Sequence, residues 1–218
     1  MLGVVARFIV FEGGEASGKS TQAQRLARRL DAVQTREPGG TAIGARLRAL
    51  LLDARTEGLD HRAEALLMAA DRAQHVAEVV RPALAAGRHV VSDRYIGSTL
   101  AYQGHGRGLG VVDLRRISAW AVGDLWPDLI VLLDVPPEVA ARRRLDEPDR
   151  LEAEGESFHD RVIRGYRALA SADANRWVTI DGARSADEVE AAVWSAVTTH
   201  LPDLAASPVA GDRVGNGT

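Results

Sequence analysis

Gly13-Gly14-Glu15-Ala16-Ser17-Gly18-Lys19-Ser20 is the stretch from which the rest of the chain is read. It fits G-x-x-x-x-G-K-[ST], in which the glycines let the backbone wrap an anion and turn successive N–H groups toward it. In that pattern Lys19 reaches the β- and γ-phosphates and the Ser20 hydroxyl ligates Mg²⁺. The flanks agree. Arg7-Phe8-Ile9-Val10-Phe11 is a short apolar run, read as a buried strand. Ala23, Leu26, Ala27 and Leu30 recur at i, i+3, i+4 and i+7, one face of a helix. Strand, glycine loop and helix together make the context that the motif requires. Lys19 is also the single lysine of the chain, where every other basic side chain is arginine. A compact point charge among phosphates is the place for a lysine.

Composition bounds the remaining possibilities. A chain of 218 residues is read as one domain with a sizeable core. The net charge of −3 gives no reason to expect a nucleic-acid groove or an acidic membrane partner. Without cysteine there is no disulfide, thiol catalysis or cysteine-ligated zinc. No apolar run approaches the roughly 18 residues of a membrane span, and no basic-then-apolar leader is read ahead of the first strand. The expected location is cytoplasmic.

Strands are read as beginning near residues 6, 32, 88, 129 and 176, with helices between them. Such alternation gives an α/β fold, a five-stranded parallel sheet flanked by helices on both faces. Leu129-Ile130-Val131-Leu132-Leu133-Asp134 is an unbroken apolar strand, as expected when both faces are covered. A helix is expected from Ala42 to Leu52 with Leu47, Leu50 and Leu51 inward. A long helix from Arg62 to Ala85 is expected to carry Leu66, Ala69, Ala73, Val76 and Val80 as a core stripe. Met68, Arg72 and His75 form its second face. Ile96 to Tyr102 is read as helix and Gln103 to Gly108 as a flexible loop. The charged segment at about 142–157, broken by Pro148, is read as a mobile lid. The domain is expected to span 1–201, and 202–218 reads as a disordered tail. His75, His105 and Asp134 call for no special role.

The chemistry follows from what is missing. A guanine-reading Asn-Lys-x-Asp is impossible when the single lysine is already in the loop. A partition-type ATPase would carry a second lysine where Gly14 stands. A kinase for a small phosphate acceptor remains, and an incoming phosphomonoester needs arginines of its own. Arg36, Arg72 and Arg94 come from a loop, a helix face and a strand end that could converge beside the phosphate loop.

Further stretches carry a resemblance. Phe11-Glu12-Gly13, Thr35-Arg36-Glu37-Pro38-Gly39-Gly40-Thr41, Leu66-Leu67-Met68-Ala69-Ala70-Asp71-Arg72, Ser92-Asp93-Arg94-Tyr95, Ala101-Tyr102-Gln103-Gly104 and Asp149-Arg150-Leu151-Glu152 stand in order across about residues 8 to 182. In these the chain resembles the thymidylate kinases, the bacterial subtype with lid arginines.

That resemblance implies a P-loop kinase fold, a reaction of ATP with dTMP giving ADP and dTDP for dTTP synthesis, Mg²⁺, and a homodimer with the long central helices at its interface. It implies that Gly13, Gly14, Glu15, Ala16, Ser17, Gly18, Lys19, Ser20 and Thr21 hold the ATP phosphates. Glu15 matches the acidic position that orients the acceptor. Ser20 and Asp93 sit at the metal, and Arg94 grips the acceptor phosphate. Arg72 approaches thymine; Arg36, Met68, Thr99, Tyr102 and Gln103 complete the acceptor site, Tyr102 crowding a ribose 2′-hydroxyl. Two positions depart from the family pattern. Ala16 stands where some members place an arginine, so the negative charge on the transferring group must be met otherwise; the lid offers Arg150 and Arg144 as the expected catalytic residues, beside Arg142 and Arg143. Met68 stands where the family has phenylalanine, and its sulfur can lie against an aromatic ring. The competing readings are a kinase for another nucleoside monophosphate or a deoxynucleoside, and a nucleotide-binding regulator that transfers nothing.

Overall fold

Strand β1, Phe8–Glu12, alternates its side chains between two cores. Phe8 and Val10 enter one, Ile9 and Phe11 the other. This is the period-two geometry of a strand covered on both faces. The computed structural model describes residues 5–144 and 147–206.

In chain order β1 is followed by α1 (Lys19–Leu30), β2 (Val33–Arg36), α2 (Ala42–Leu52) and α3 (His61–His75). A π segment at Val76–Val80 joins α3 to α4 (Arg81–Ala85). Next come β3 (Val90–Asp93), α5 (Ile96–Thr99) with a π segment at Leu100–Gly106, and α6 (Val111–Val122). β4 (Leu129–Asp134), α7 (Pro137–Arg143), α8 (Glu156–Ala172), β5 (Trp177–Asp181) and α9 (Ala186–His200) complete the order, with a 3₁₀ turn at Pro202–Ala206. All four strand pairings are parallel and the sheet order is β2-β3-β1-β4-β5. α1 and α9 cover one face; α3, α6 and α8 cover the other. The Ser185 and Glu188 capping box that starts α9 is present.

The register does the positioning. Asp93 pairs with Phe11 on one side and Arg36 on the other. The ends of β1, β2 and β3 therefore lie in one row, where open parallel sheets place their sites.

Three expectations change. Leu50 and Leu66 are exposed, at 46% and 55%, not inward. The inward stripe of α3 instead carries Glu64, Asp71, Arg72 and His75 among Ala65, Met68 and Ala69. Polar groups occupy the positions that a hydrophobic count gives to leucine. Second, Gln103 to Gly106 is not loop but continues the helix as a π segment, closed by Arg107 N–H to Tyr102 O at 2.9 Å. π turns are frequent at functional sites. Third, the folded chain runs past 201: Leu204 is fully buried and Asp203 pairs with Arg7 at 3.0 Å. Pro202 onward lacks periodicity, yet one leucine and one ion pair pin it to the second core. The lid positions 145–146 and the tail from 207 lie outside the described residues.

Candidate active site

The phosphate loop is held open by backbone that side chains rarely adopt. Gly18 caps α1 at φ +89°. Gly13 has φ +149°, and a Cβ there would sit 2.6 Å from Leu133 O. Ala16, the position without an arginine, has φ +52°. Inside the loop Lys19 Nζ donates to Gly14 O at 2.6 Å and to Ser17 Oγ at 3.2 Å. Burial, with Arg94 nearby, pushes Lys19 down to about 8. A depressed lysine in a cradle of N–H groups marks a place where an anion is wanted.

Ser20 Oγ donates to Asp93 Oδ2 at 2.5 Å. Asp93 Oδ1 is buried without a hydrogen-bond partner among the described residues. A serine oxygen beside an orphaned carboxylate oxygen is a hard-donor pair that suits Mg²⁺. Arg36, Arg48 and Arg143 line the same space, and Arg36 is exposed at its mouth. Arg143 is tied to Gly182 O and Ala183 O at 2.8 and 3.1 Å.

Arg94 is the hinge between two clefts. It follows β3 with φ +73°, a left-handed conformation uncommon for a side-chain-bearing residue. Its Nη1 donates to Gly13 O at 3.0 Å, and its Nη2 to Glu15 Oε1 at 2.7 Å. Ser98, Tyr102 and Tyr166 complete the cage. Burial would raise Glu15, but Arg94, Lys19 and a hydrogen bond from Tyr102 hold it down at about 2. Behind the cage lies Glu12, fully buried. It accepts from the N–H groups of Tyr95 and Ser98 at 3.0 Å and from Tyr166. It thereby caps α5 from another element and fixes two of the groups that hold Arg94.

The second cleft is lined by Glu15, Arg48, Met68, Arg72, Arg94, Thr99, Tyr102 and Gln103 among others. Met68, Arg72 and His75 all face inward from α3, as their spacing predicts. Arg72 Nη2 donates to Tyr95 O at 3.1 Å and Thr99 Oγ1 at 3.0 Å, while Nε donates to Glu37 Oε2 at 2.7 Å. Its Nη1 is buried and has no partner among the described residues. Gln103 Nε2 donates to Glu64 Oε1 at 2.9 Å.

Two sequence motifs turn out to be halves of one structure. The Gly39 N–H donates to Asp71 Oδ1 at 3.0 Å. A Cβ on Gly40 would lie 2.8 Å from His75 Cδ2 and 2.9 Å from Thr35 Oγ1. The Arg-Glu-Pro-Gly-Gly-Thr loop is therefore pressed onto the Asp71, Arg72 and His75 face of α3.

Arg150, expected at the transferring phosphate, has Nε on Leu51 O at 2.7 Å and Nη2 on Glu64 Oε2 at 2.6 Å. Among the lid arginines, Arg143 lines the phosphate-loop space, and Arg144 lines a third cavity that reaches Gly14, Glu15 and Ser17. Sequence reading missed Glu12, Glu37, Arg48, Glu64, Arg107 and Tyr166. Arg48 was hardest to find, one arginine of many on an amphipathic helix. Here it is half-buried between the clefts, its guanidinium on Pro38 O at 3.1 Å.

The thymidylate kinase family model matches residues 11–193. A thymidylate kinase of Solidesulfovibrio magneticus is 52% identical over 204 residues, covering 87% of this chain and 98% of the relative. One of a Synechococcus species is 51% identical over 207 residues, covering 92% and 98%. One of Bifidobacterium longum is 45% identical over 206 residues, covering 91% and 98%.

Proposed function

The chain belongs to the thymidylate kinase family, and from that premise we propose how its residues divide the work. The enzyme transfers a phosphoryl group from ATP to dTMP, giving ADP and dTDP.

The donor triphosphate lies along residues 13 to 21, with Lys19 bridging its phosphates. Ser20 and the orphaned oxygen of Asp93 are the protein groups for Mg²⁺, which when bound offsets phosphate charge. The acceptor phosphate takes Arg94, with Arg36 and Arg48 beside it. Glu15 and Tyr102 face the deoxyribose, and Tyr102 leaves little room at the 2′ position. Met68 lies against the base. Arg72 offers its unpartnered Nη1 to a thymine carbonyl, since a buried donor without a partner costs about 1–3 kcal/mol until something accepts from it. Phosphoryl transfer asks mainly for positioning and charge, so the remaining requirement is a cation over the transferring group. Arg144 is our assignment for it.

The observation that carries this account is that Arg94 and Glu15 line both the phosphate-loop space and the second cleft. One arginine held at the join can meet an acceptor arriving from the far side.

The enzyme acts as a homodimer in this reading. Among the described residues the large exposed apolar side chains other than Val5 are Ile43, Leu50, Leu66, Val112 and Trp120, all on α2, α3 and α6. These helices pack side by side, and a second copy is the partner that such a face suits. No helix among the described residues is long and apolar enough to cross a membrane. We place the enzyme in the cytoplasm, with its nucleotide substrates.

A coupled ADP-release assay with dTMP, dUMP, dCMP, AMP and thymidine tests the reading. The highest kcat/KM belongs to dTMP. Activity with none of them, or a higher kcat/KM on thymidine, would overturn it.

A further inference from the structure

We propose that Glu37 and His75 are positioning residues that set the base preference of the acceptor cleft by fixing Arg72. The inference rests on reading that cleft as the dTMP site.

Four side chains form a line from β2 to the cleft, three of them buried. Thr35 Oγ1 and His75 Nε2 are 2.7 Å apart, and His75 Nδ1 is 2.7 Å from Glu37 Oε1. The other oxygen of Glu37 accepts from Arg72 Nε at 2.7 Å. His75 is fully buried, and Glu37 and Arg72 nearly so. Both carboxylate oxygens of Glu37 are thus engaged, one by the arginine and one by the ring that keeps the carboxylate from turning.

Two consequences bear on substrate choice. First, Nε and Nη2 of Arg72 are occupied, so the guanidinium has one orientation, and Nη1 is the corner left over. A fixed N–H group donates to a ring carbonyl, of which thymine has two, and cannot serve the amino group that cytosine has in place of one of them. Sites built around a buried hydrogen-bonding group reject partners that leave it unpaired far better than apolar pockets reject a methyl group. Second, Glu37 neutralises Arg72. The floor of the cleft then offers a donor without net positive charge, which suits an uncharged ring and leaves the acceptor phosphate to Arg94.

The glycine pair of the motif serves the same arrangement. A side chain at Gly40 would collide with His75 and Thr35 together.

The test compares dTMP and dCMP as acceptors in the wild type, Glu37→Gln and His75→Gln, with the KM for ATP and the thermal midpoint measured alongside. Glu37→Gln keeps the shape and removes the charge. In this variant kcat/KM for dTMP falls about 30-fold or more, mostly through KM, and the dTMP-to-dCMP ratio falls about tenfold or more. The KM for ATP stays within about twofold, because the phosphate loop is untouched. His75→Gln moves the ratio the same way by roughly threefold to tenfold. A purely structural role lowers both acceptors together and leaves the ratio unchanged; that result overturns the proposal. If Glu37→Gln shows no cooperative unfolding transition, His75→Gln decides by the same two outcomes. A wild type without preference for dTMP over dCMP overturns the dTMP reading itself, which separates the two failures.

Discussion

Arg150 donates from Nη2 to the buried carboxylate of Glu64 at 2.6 Å and from Nε to Leu51 O at 2.7 Å. Its backbone N–H reaches Leu52 O at 3.1 Å, and Arg107 ties Glu64 to Glu154 further along the lid. The arginine expected over the phosphates is here the pin that fastens the lid to α2 and α3. Arg150→Ala should speed amide hydrogen exchange over 149–154 and raise the KM for dTMP several-fold, with kcat falling less than about tenfold. A loss of about 10³ in kcat at unchanged KM would return Arg150 to the transferring group.

The same pin should fail in acid. Burial works to raise Glu64, but hydrogen bonds from Gln103, Arg107 and Arg150 outweigh it and hold the carboxyl below its usual range. A carboxylate lowered in the folded state contributes stability that is present above the unfolded value, about 4.3, and is lost as pH falls through the folded value. Glu64→Gln, which leaves two arginines facing a neutral amide, should cost about 3 kcal/mol or more at pH 7. Urea unfolding at stepped pH checks this: the gap between wild type and variant should narrow below about pH 4. A gap independent of pH would remove Glu64 from the acid response.

Met68 is nearly buried and lines the second cleft, the proposed acceptor site, on the face it shares with Arg72. A flat ring there offers more contact to thymine than a flexible thioether. Met68→Phe should therefore keep or improve dTMP affinity in a calorimetric titration. A loss beyond about tenfold with a lower thermal midpoint would mean that the side chain is packed for the core alone.

Leu66 and Trp120, exposed at 55% and 85%, mark the face assigned to a second copy. Leu66→Glu combined with Trp120→Glu should convert the proposed dimer to monomer in sedimentation velocity, with the fold intact by circular dichroism. Wild-type protein that sediments as a monomer at micromolar concentration would contradict the assignment.

How much of this was legible in the sequence depends on what each residue's neighbours are. The phosphate loop, the five strand positions and the inward set Met68, Arg72 and His75 follow from local pattern, because glycine spacing and helical period are properties of the chain itself. Leu66 misled because α3 turns its charged side inward, which no hydrophobic count reports. The contact of Arg150 was not legible because a lid arginine has no period, and its partner Glu64 lies 86 residues away. Glu37 stood inside a motif, yet nothing local says that its carboxylate is divided between His75 and Arg72. Strand order and buried ion pairs are decided by contacts distant in sequence, and these make up the part that the structure adds.

In the proposed arrangement the site divides at Arg94, with the donor along the phosphate loop and the acceptor base against α3. A crystal structure of the enzyme with dTMP and ADP tests it most directly. The dTMP phosphate is expected on Arg94, the ring against Met68, and a thymine carbonyl at hydrogen-bond distance from Arg72 Nη1, with Glu37 still on Arg72 Nε. A dTMP phosphate seated on Arg72, or a thymine ring held away from α3, would contradict it.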